Sequence, residues 1–572
     1  MKKFRPGVSF CDFVVRDSMT SRVRVDDDRP RDFRRGWLVW VGIVIVFGLL
    51  AARLVQLQLV YGQRYRLLSD QNRVKQIKTV APRGVIYDRN GKALADNIKA
   101  DDGTWKRNYT LKEATTHLMG YLGEVTEDEI GLLREAGAKY AIGDRVGRSG
   151  LERVFEKQLR GIDGGRVMEV DNMGEGVREL GRRLPQAGGD LHLGLDASLQ
   201  TAAFEAMAGK KGAVVASDPR NGEVLAWVSM PSFDPELLEG RPAGEKAMTV
   251  EKLLTDESLP MFDRAAGGVY PPGSVFKMVT TAAAISEGRV KPGFSYTDVG
   301  IIRVGDFSYS NWLFTKRGGV EGTIGFSRAI TRSTDTFFYK IGEMTTPELI
   351  GKWAGILGLG KRTGIELPGE AEGLIPSPDW KMKEKGERWF LGNTYHMAIG
   401  QGDVLVTPAQ INVMTGALAT GRKCALHLVA GAGEKCEKVE MEAEAARIIL
   451  QGMIGACSPD GTAYPLFDWN EAARNNSEQS VSARAMTGQA LPVIACKTGT
   501  AEYMTSDGKM KTHGWLTAFA PAEDPTIAIT VLVEGGGEGS DVAAPVVRKM
   551  MATYFGVEDS YNYAAILRGL GE

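Results

Sequence analysis

Histidine and cysteine are scarce in this chain, and neither sign of charge dominates it. The five histidines, His117, His192, His396, His427 and His513, include no pair at metal-ligand spacing, so no metal site is expected. Lys and Arg number 70 against 71 Asp and Glu, which removes any bulk electrostatic argument for nucleic acid. No basic stretch is interleaved with aromatics either, as a nucleic-acid surface would require. Beyond the N-terminal region the chain has no low-complexity segment, and no repeat period runs through it. What remains is the composition of folded globular protein, 43% apolar and 25% charged. At 572 residues it calls for two or three domains.

Long hydrophobic runs are also rare, and the one present is informative. WLVWVGIVIVFGLLAA (37–52) continues past Arg53 through Leu54, Val55, Leu57, Leu59 and Val60. From Trp37 to Val60 it can cross a bilayer as a helix, with Arg53 snorkelling to an interface. Trp37 and Trp40 at one end and Tyr61 at the other suit interfacial anchors better than a core helix. Lys2, Lys3, Arg5, Arg16, Arg22, Arg24, Arg29, Arg31, Arg34 and Arg35 precede it, which predicts an inside N-terminus and an exported remainder. A signal peptide cleaved at Ala51-Ala52 is the competing reading; the long leader and Arg53 argue for a retained anchor.

Of five cysteines, Cys11 falls inside, and Cys424, Cys436, Cys457 and Cys496 fall in the exported part, where disulfides persist. Three pairings are open, as are four free thiols. Cys424 with Cys436 and Cys457 with Cys496 is the working hypothesis, to be tested by non-reducing peptide mapping.

Residues 62–100 read as polar and β-rich with a turn at Asp88–Gly91, and residues 147–185 are rich in Gly and Arg. After Gly188-Gly189 comes LHLGLDASLQTAAFEAM, a strand and then an amphipathic helix. GAVVASDP and EVLAWVSM form a hairpin through Arg220-Asn221-Gly222. Helical patterns dominate from 274 to about 455, and strands return in VIACKTGTAEYM, THGWLTAFAP and TIAITVLVEG. Two early strands, a helical middle and three late strands predict an α+β fold, a mainly antiparallel sheet flanked by helices.

Three short motifs carry chemistry. In Pro271-Pro272-Gly273-Ser274-Val275-Phe276-Lys277 the prolines and glycine stop the preceding segment, so a helix is expected from about Ser274. Ser274 and Lys277 then share one face. A serine hydroxyl needs an adjacent base, and lysine serves only when a depressed pKa leaves it neutral. By itself S-x-x-K is weak, with on the order of one or two expected by chance in such a composition. Lys497-Thr498-Gly499-Thr500 on a strand adds a cation that can lower the pKa of Lys277 and attract a carboxylate, and a glycine past which a substrate backbone can lie. Ser333-Thr334-Asp335 precedes a helix; taken alone it is an ordinary N-cap.

In their order along the chain, with Ser333-Thr334-Asp335 between the other two, the three motifs resemble the serine penicillin-recognising enzymes. The resemblance extends to RGVIYDRNGKALADN (83–97), GRSGLERVFEKQLRG (147–161), GAVVASDPRNGEVLAWVSMPSFDP (212–235), GLGKRTGIELPGEAEGLIP (358–376), AIGQGDVLVTPAQ (398–410) and CKTGTAEY (496–503). Covering roughly residues 53–555, it is to the class B penicillin-binding proteins, with RVKQIKTVAPRGVIYDRNG and YPPGS pointing to the elongation, rod-shape subgroup. It implies a penicillin-binding/β-lactamase-like transpeptidase fold after an anchor and an extended β-rich module. The expected division is a cytoplasmic segment 1–36, an anchor 37–60, a non-catalytic pedestal or dimerisation-like domain 61–190, a transpeptidase domain 191–557 and a tail 558–572.

The resemblance implies that Ser274 forms the acyl-enzyme and Lys277 takes its proton. Ser333 relays a proton to the leaving amine, Lys497 orders the site, and Thr498, Gly499 and Thr500 receive the substrate, the two threonines holding its carboxylate. The backbone N–H groups of Ser274 and Thr500 would form the oxyanion hole. It implies no cofactor; its partners are peptidoglycan stem peptides, β-lactams and a membrane-embedded glycan polymerase of the elongation machinery. The site would face outward from a bacterial cytoplasmic membrane. Two departures stand out. Asp335 occupies a position where Asn is usual, exchanging an amide donor for a group that only accepts when ionised, and one able to pair with Lys277. The non-catalytic module is also shorter than expected. Rival readings are a D,D-carboxypeptidase, a β-lactamase, and a β-lactam-sensing receptor or inactive scaffold. A bifunctional enzyme lacks room for a glycosyltransferase domain. His513 and Trp515 are candidates to line the cleft, with packing the favoured role for Trp515.

Overall fold

Strands that are apolar on both faces need cover on both faces, and the C-terminal third of this chain contains one: Ile527–Val533, IAITVLV, buried at every position. The computed structural model describes residues 32–559 apart from 102, 136–139, 172, 174, 240–248, 476–482, 486–490 and 506. The basic leader with Cys11, and the tail beyond 559, lie outside the described residues.

The Ile527–Val533 strand sits in the middle of a five-stranded sheet, ordered Val224–Met230, Gly212–Ser217, Ile527–Val533, Met510–Ala520, Ala495–Met504. Every pairing is antiparallel, as the strand–helix–strand pattern predicts. Period-two alternation separates the cores. Ile527, Ile529, Val531 and Val533 join a cluster with Leu199 and Val547 from the helices Ala197–Ala206 and Ala544–Phe555. Ala528 and Leu532 join the larger cluster, which contains Val279, Ala282, Phe337 and Phe338.

The helix Lys277–Ser286 runs through that larger core, with residues 277–285 all buried. Such a helix is apolar around its whole circumference, and KMVTTAAAIS satisfies this once its hydroxyls are bonded. Thr281 Oγ1 donates to Lys277 O at 2.9 Å and Thr280 Oγ1 to Ala398 O at 2.7 Å.

Two of the motif segments outside the catalytic trio meet in a buried ion cluster. Arg83 Nη2 donates to Glu152 Oε2 at 2.7 Å and Glu156 Oε2 at 2.8 Å, and Arg107 Nε to Glu152 Oε1 at 2.7 Å. Breaking such a cluster by removing one partner leaves an uncompensated charge, which explains Arg83 and Glu152 without catalysis. The turn at Asp88–Gly91 forms as expected, and Asp88 also accepts from the N–H of Ala197 at the start of a sheet-covering helix.

By packing, the chain divides into Met1–Ile77 with Gly165–Arg183, and Lys78–Gly164 with Leu184–Glu572. In the first unit the helix Asp32–Val55 runs into a π-helical turn, Gln56–Val60. Gly36–Val60 is a span of 25 residues whose apolar window has a mean hydropathy of 2.5 and is nowhere buried. At 1.5 Å per residue it is about 37 Å long, enough for a bilayer core. Gly62–Asn72 is helical, where the sequence suggests β structure; GQRYRLLSDQN has Gln, Arg and Leu, good helix formers, and few β-branched residues. Strand structure follows in Val74–Thr79, which lies in a three-stranded sheet with Gly164–Val170 and Gly176–Arg183.

Both hypothesised disulfides are present, Cys424–Cys436 and Cys457–Cys496. The first links paired strands, where Cys424 faces Cys436 in register.

Candidate active site

After the Pro-Pro-Gly brake the α-helix begins one turn later than the sequence suggests. Gly273–Phe276 is a 3₁₀ turn carrying Ser274, and the α-helix starts at Lys277. Gly273 has φ +57, and a Cβ there would lie 2.7 Å from Thr500 O, so only glycine lets this turn lie against the K-T-G-T strand. Its N–H donates to Gly400 O at 2.8 Å, and Gln401 Nε2 to Thr500 O at 3.4 Å. Trp515 Nε1 donates to Pro271 O at 3.0 Å. Ser274 is half-buried, and its hydroxyl has no hydrogen-bond partner among the described residues.

Lys277 is wholly buried and directs its ammonium at the middle motif. Nζ donates to Asp335 Oδ1 at 2.6 Å, Ser333 O at 2.7 Å and Ser333 Oγ at 3.2 Å. From the sheet side, Lys497 Nζ donates to the same Ser333 Oγ at 3.0 Å and to Thr498 O at 2.8 Å. One hydroxyl is thus held between two buried lysines. Ser333 has φ 57 and ψ 40, a left-handed conformation uncommon for a non-glycine residue, at the C-cap of the helix Phe326–Arg332. Such strain persists only where surrounding contacts hold it, and it concentrates at functional sites.

Burial lowers the pKa of Lys277, while the Asp335 carboxylate opposes that shift. Lys497 is pushed well down, first by burial and then by the charge of Lys277. Desolvation is the first cause at both lysines, and the like charges of two ammonium groups that share Ser333 Oγ repel one another. Asp335 meets Lys277 as anticipated, and its Oδ2 accepts from Trp312 N at 3.4 Å. The N-cap of the following helix is Thr334, with no side-chain capping bond.

Thr498 Oγ1 lies 2.6 Å from Thr462 Oγ1, a partner with no signal in the sequence. Gly499 packs tightly, with a built Cβ 3.0 Å from Pro272 O and from Trp515 Cβ. Trp515 is fully buried, in a packing role. His513 stacks on Tyr503 at 4.0 Å, and burial pushes its pKa down to about 4, so it is neutral near pH 7. The structure thus brings Ser274, Lys277, Ser333, Asp335, Lys497, Thr498, Gly499 and Thr500 into one locale, where turn, helix end and edge strand meet.

Comparison with known proteins agrees with this geometry. The penicillin-binding protein transpeptidase domain family matches residues 212–552, and the penicillin-binding protein dimerisation domain family matches 98–193. Peptidoglycan D,D-transpeptidase MrdA of Escherichia coli K12 is 29% identical over 89% of this chain and 92% of its own length. The MrdA of Acinetobacter baumannii is 30% identical, over 88% and 85%. Among solved structures, Pseudomonas aeruginosa PBP2 in complex with WCK 5153 is 31% identical with a TM-score of 0.67, covering 84% of this chain and 96% of that one. The Helicobacter pylori PBP2 in complex with MreC is 26% identical with a TM-score of 0.68, covering 84% and 99%. With both the domain family and these full-length relatives matched, this chain belongs to the penicillin-binding protein transpeptidases, in the class B group that includes the MrdA proteins.

Proposed function

We propose that this protein is a peptidoglycan D,D-transpeptidase that cross-links stem peptides during cell-wall elongation through an acyl-enzyme on Ser274. The observation that carries the reading is Ser333 Oγ held between Lys277 and Lys497 beside the Ser274 turn. Neutral Lys277 takes the proton of Ser274 as its oxygen attacks the carbonyl of the penultimate D-Ala. Ser333 passes a proton to the departing D-Ala amine. The backbone N–H groups of Ser274 and Thr500 receive the developing oxyanion, and Thr498 and Thr500 hold the donor carboxylate. An amine from a neighbouring stem then attacks the ester, and the proton path runs in reverse. β-Lactams acylate Ser274 as mimics of the donor.

Residues 37–60 anchor the chain in a bacterial cytoplasmic membrane, with residues 1–36 inside and the catalytic domain 191–557 outside. Residues 61–190 serve as a pedestal for assembly partners, a membrane-embedded glycan polymerase among them. Support comes from a solved peptidoglycan synthase complex that coordinates polymerisation and cross-linking, 30% identical with a TM-score of 0.69 over 91% of this chain.

The test supplies the full-length protein with a glycan bearing pentapeptide stems and analyses the digested product. Cross-linked dimers with released D-Ala are expected, and none from Ser274→Ala. Uncross-linked tetrapeptide alone would assign the carboxypeptidase, and acylation without turnover the receptor.

A further inference from the structure

The segment Cys457–Ala463 touches two catalytic motifs at once. It leaves the helix Ala443–Ala456 and folds straight back, with Ala456 O accepting from Thr462 N at 3.1 Å and Ala463 N at 2.9 Å. The reversal uses Asp460 at φ +73 and Gly461, where a Cβ would lie 2.3 Å from Ala456 O. On the sheet side the segment is fixed twice: Cys457 is bonded to Cys496, the residue before Lys497, and Thr462 Oγ1 lies 2.6 Å from Thr498 Oγ1. On the other side Arg332, the residue before Ser333, donates from Nη1 to Asp460 O at 2.8 Å and Gly461 O at 3.4 Å. Arg332 Nε is held by Glu321 Oε1 at 2.7 Å, and its carbonyl accepts from Trp312 Nε1 at 2.9 Å. The helices beneath approach closely through glycine: a Cβ at Gly452 would lie 2.5 Å from Ile330 Cβ, and one at Gly455 would lie 2.2 Å from Thr331 Oγ1.

We propose that Cys457–Ala463 is a positioning clamp for acylation, in which Thr462 orients the Thr498 hydroxyl towards the donor carboxylate and Arg332 ties the Ser333 turn to the same segment. The inference rests on the assignment of Thr498 to that carboxylate. A threonine hydroxyl has one proton and two lone pairs, and an ionised carboxylate only accepts. If Thr498 gives its proton to the substrate, the 2.6 Å contact must run from Thr462 to Thr498. That donation fixes the Thr498 rotor and strengthens its outgoing bond, since linked hydrogen bonds polarise one another. Arg332 and the disulfide act at a distance from the substrate, by holding Ser333 and Lys497 to one piece of backbone.

The experiment measures second-order acylation by a penicillin and by its methyl ester, which lacks the free carboxylate, alongside melting temperature. It uses full-length protein in detergent and the variants Thr462→Val, Thr462→Ser, Thr498→Val, Arg332→Ala and Arg332→Lys. Thr462→Val should lose roughly tenfold with the acid, the size of one hydrogen bond to a charged group, and little with the ester. Thr462→Ser should retain the wild-type preference for the acid. Arg332→Ala should slow both compounds alike, with partial rescue by Arg332→Lys. An unchanged acid-to-ester ratio in Thr462→Val, with Thr498→Val losing it, overturns the clamp and leaves the Thr498 assignment intact. An unchanged ratio in Thr498→Val overturns that assignment as well. Loss in Thr462→Val and Thr462→Ser alike, in step with melting temperature, assigns Thr462 to packing and also overturns the proposal.

Discussion

Lys277 and Asp335 form a 2.6 Å ion pair in which the lysine side chain is fully buried and the carboxylate 16% exposed. Burial and the carboxylate act on the lysine in opposite directions, so with Lys277 as the proposed base the pair would set the pH at which its neutral form becomes available. Acylation should therefore rise with pH through the titration of Lys277. Asp335→Asn removes the partner that holds this pKa up, and the acidic limb of the acylation profile should move to lower pH. Stopped-flow acylation by a chromogenic β-lactam from acid to neutral pH checks this; an unmoved limb, or one displaced upwards, contradicts it.

Lys497→Met should keep the volume of the buried side chain while deleting the contacts to Ser333 Oγ and Thr498 O. Loss of a preorganised charged donor is expected to slow acylation on the order of a hundredfold. Melting temperature should change little, because desolvation of this lysine is a cost that the methionine does not carry. A wild-type rate would remove Lys497 from the reaction.

Gly273→Ala should damage both stability and rate. A left-handed alanine costs about 1–2 kcal/mol, before the contact with Thr500 O is counted. Relief requires the Ser274 turn and the K-T-G-T strand to separate. Thermal denaturation and penicillin labelling together check this, and a variant with wild-type labelling would mean the turn is not held by this approach.

The two disulfides should separate by function. Cys424–Cys436 closes a short loop on a two-stranded hairpin, so Cys424→Ala/Cys436→Ala should cost about 2–3 kcal/mol of stability and leave acylation unchanged. Cys457→Ala/Cys496→Ala should slow acylation, because one end lies beside Lys497. Equal effects on rate from both pairs would contradict the distinction.

Much of this was legible in the residues, for identifiable reasons. The sheet is legible in apolar strand runs such as TIAITVLVEG and in the Arg220-Asn221-Gly222 turn, both local. Ser274, Lys277, Ser333 and Lys497 were found because their spacing and order are linear. Thr462 and Arg332 carried no linear signal: their importance comes from contacts with Thr498 and Asp460, 36 and 128 residues away. The sequence places the start of the helix that follows Ser274 one turn early, because the approach of Gly273 to Thr500 beside the 3₁₀ turn is a long-range contact. The helix at Gly62–Asn72 is hidden by its polar composition, although Gln, Arg and Leu favour helix.

The central claim is that Ser274 is the acylated nucleophile. Full-length protein treated with a β-lactam, digested and analysed by mass spectrometry, should carry the adduct mass on the peptide containing Ser274, and Ser274→Ala should carry none. An adduct on another residue, or undiminished labelling of Ser274→Ala, would contradict the account.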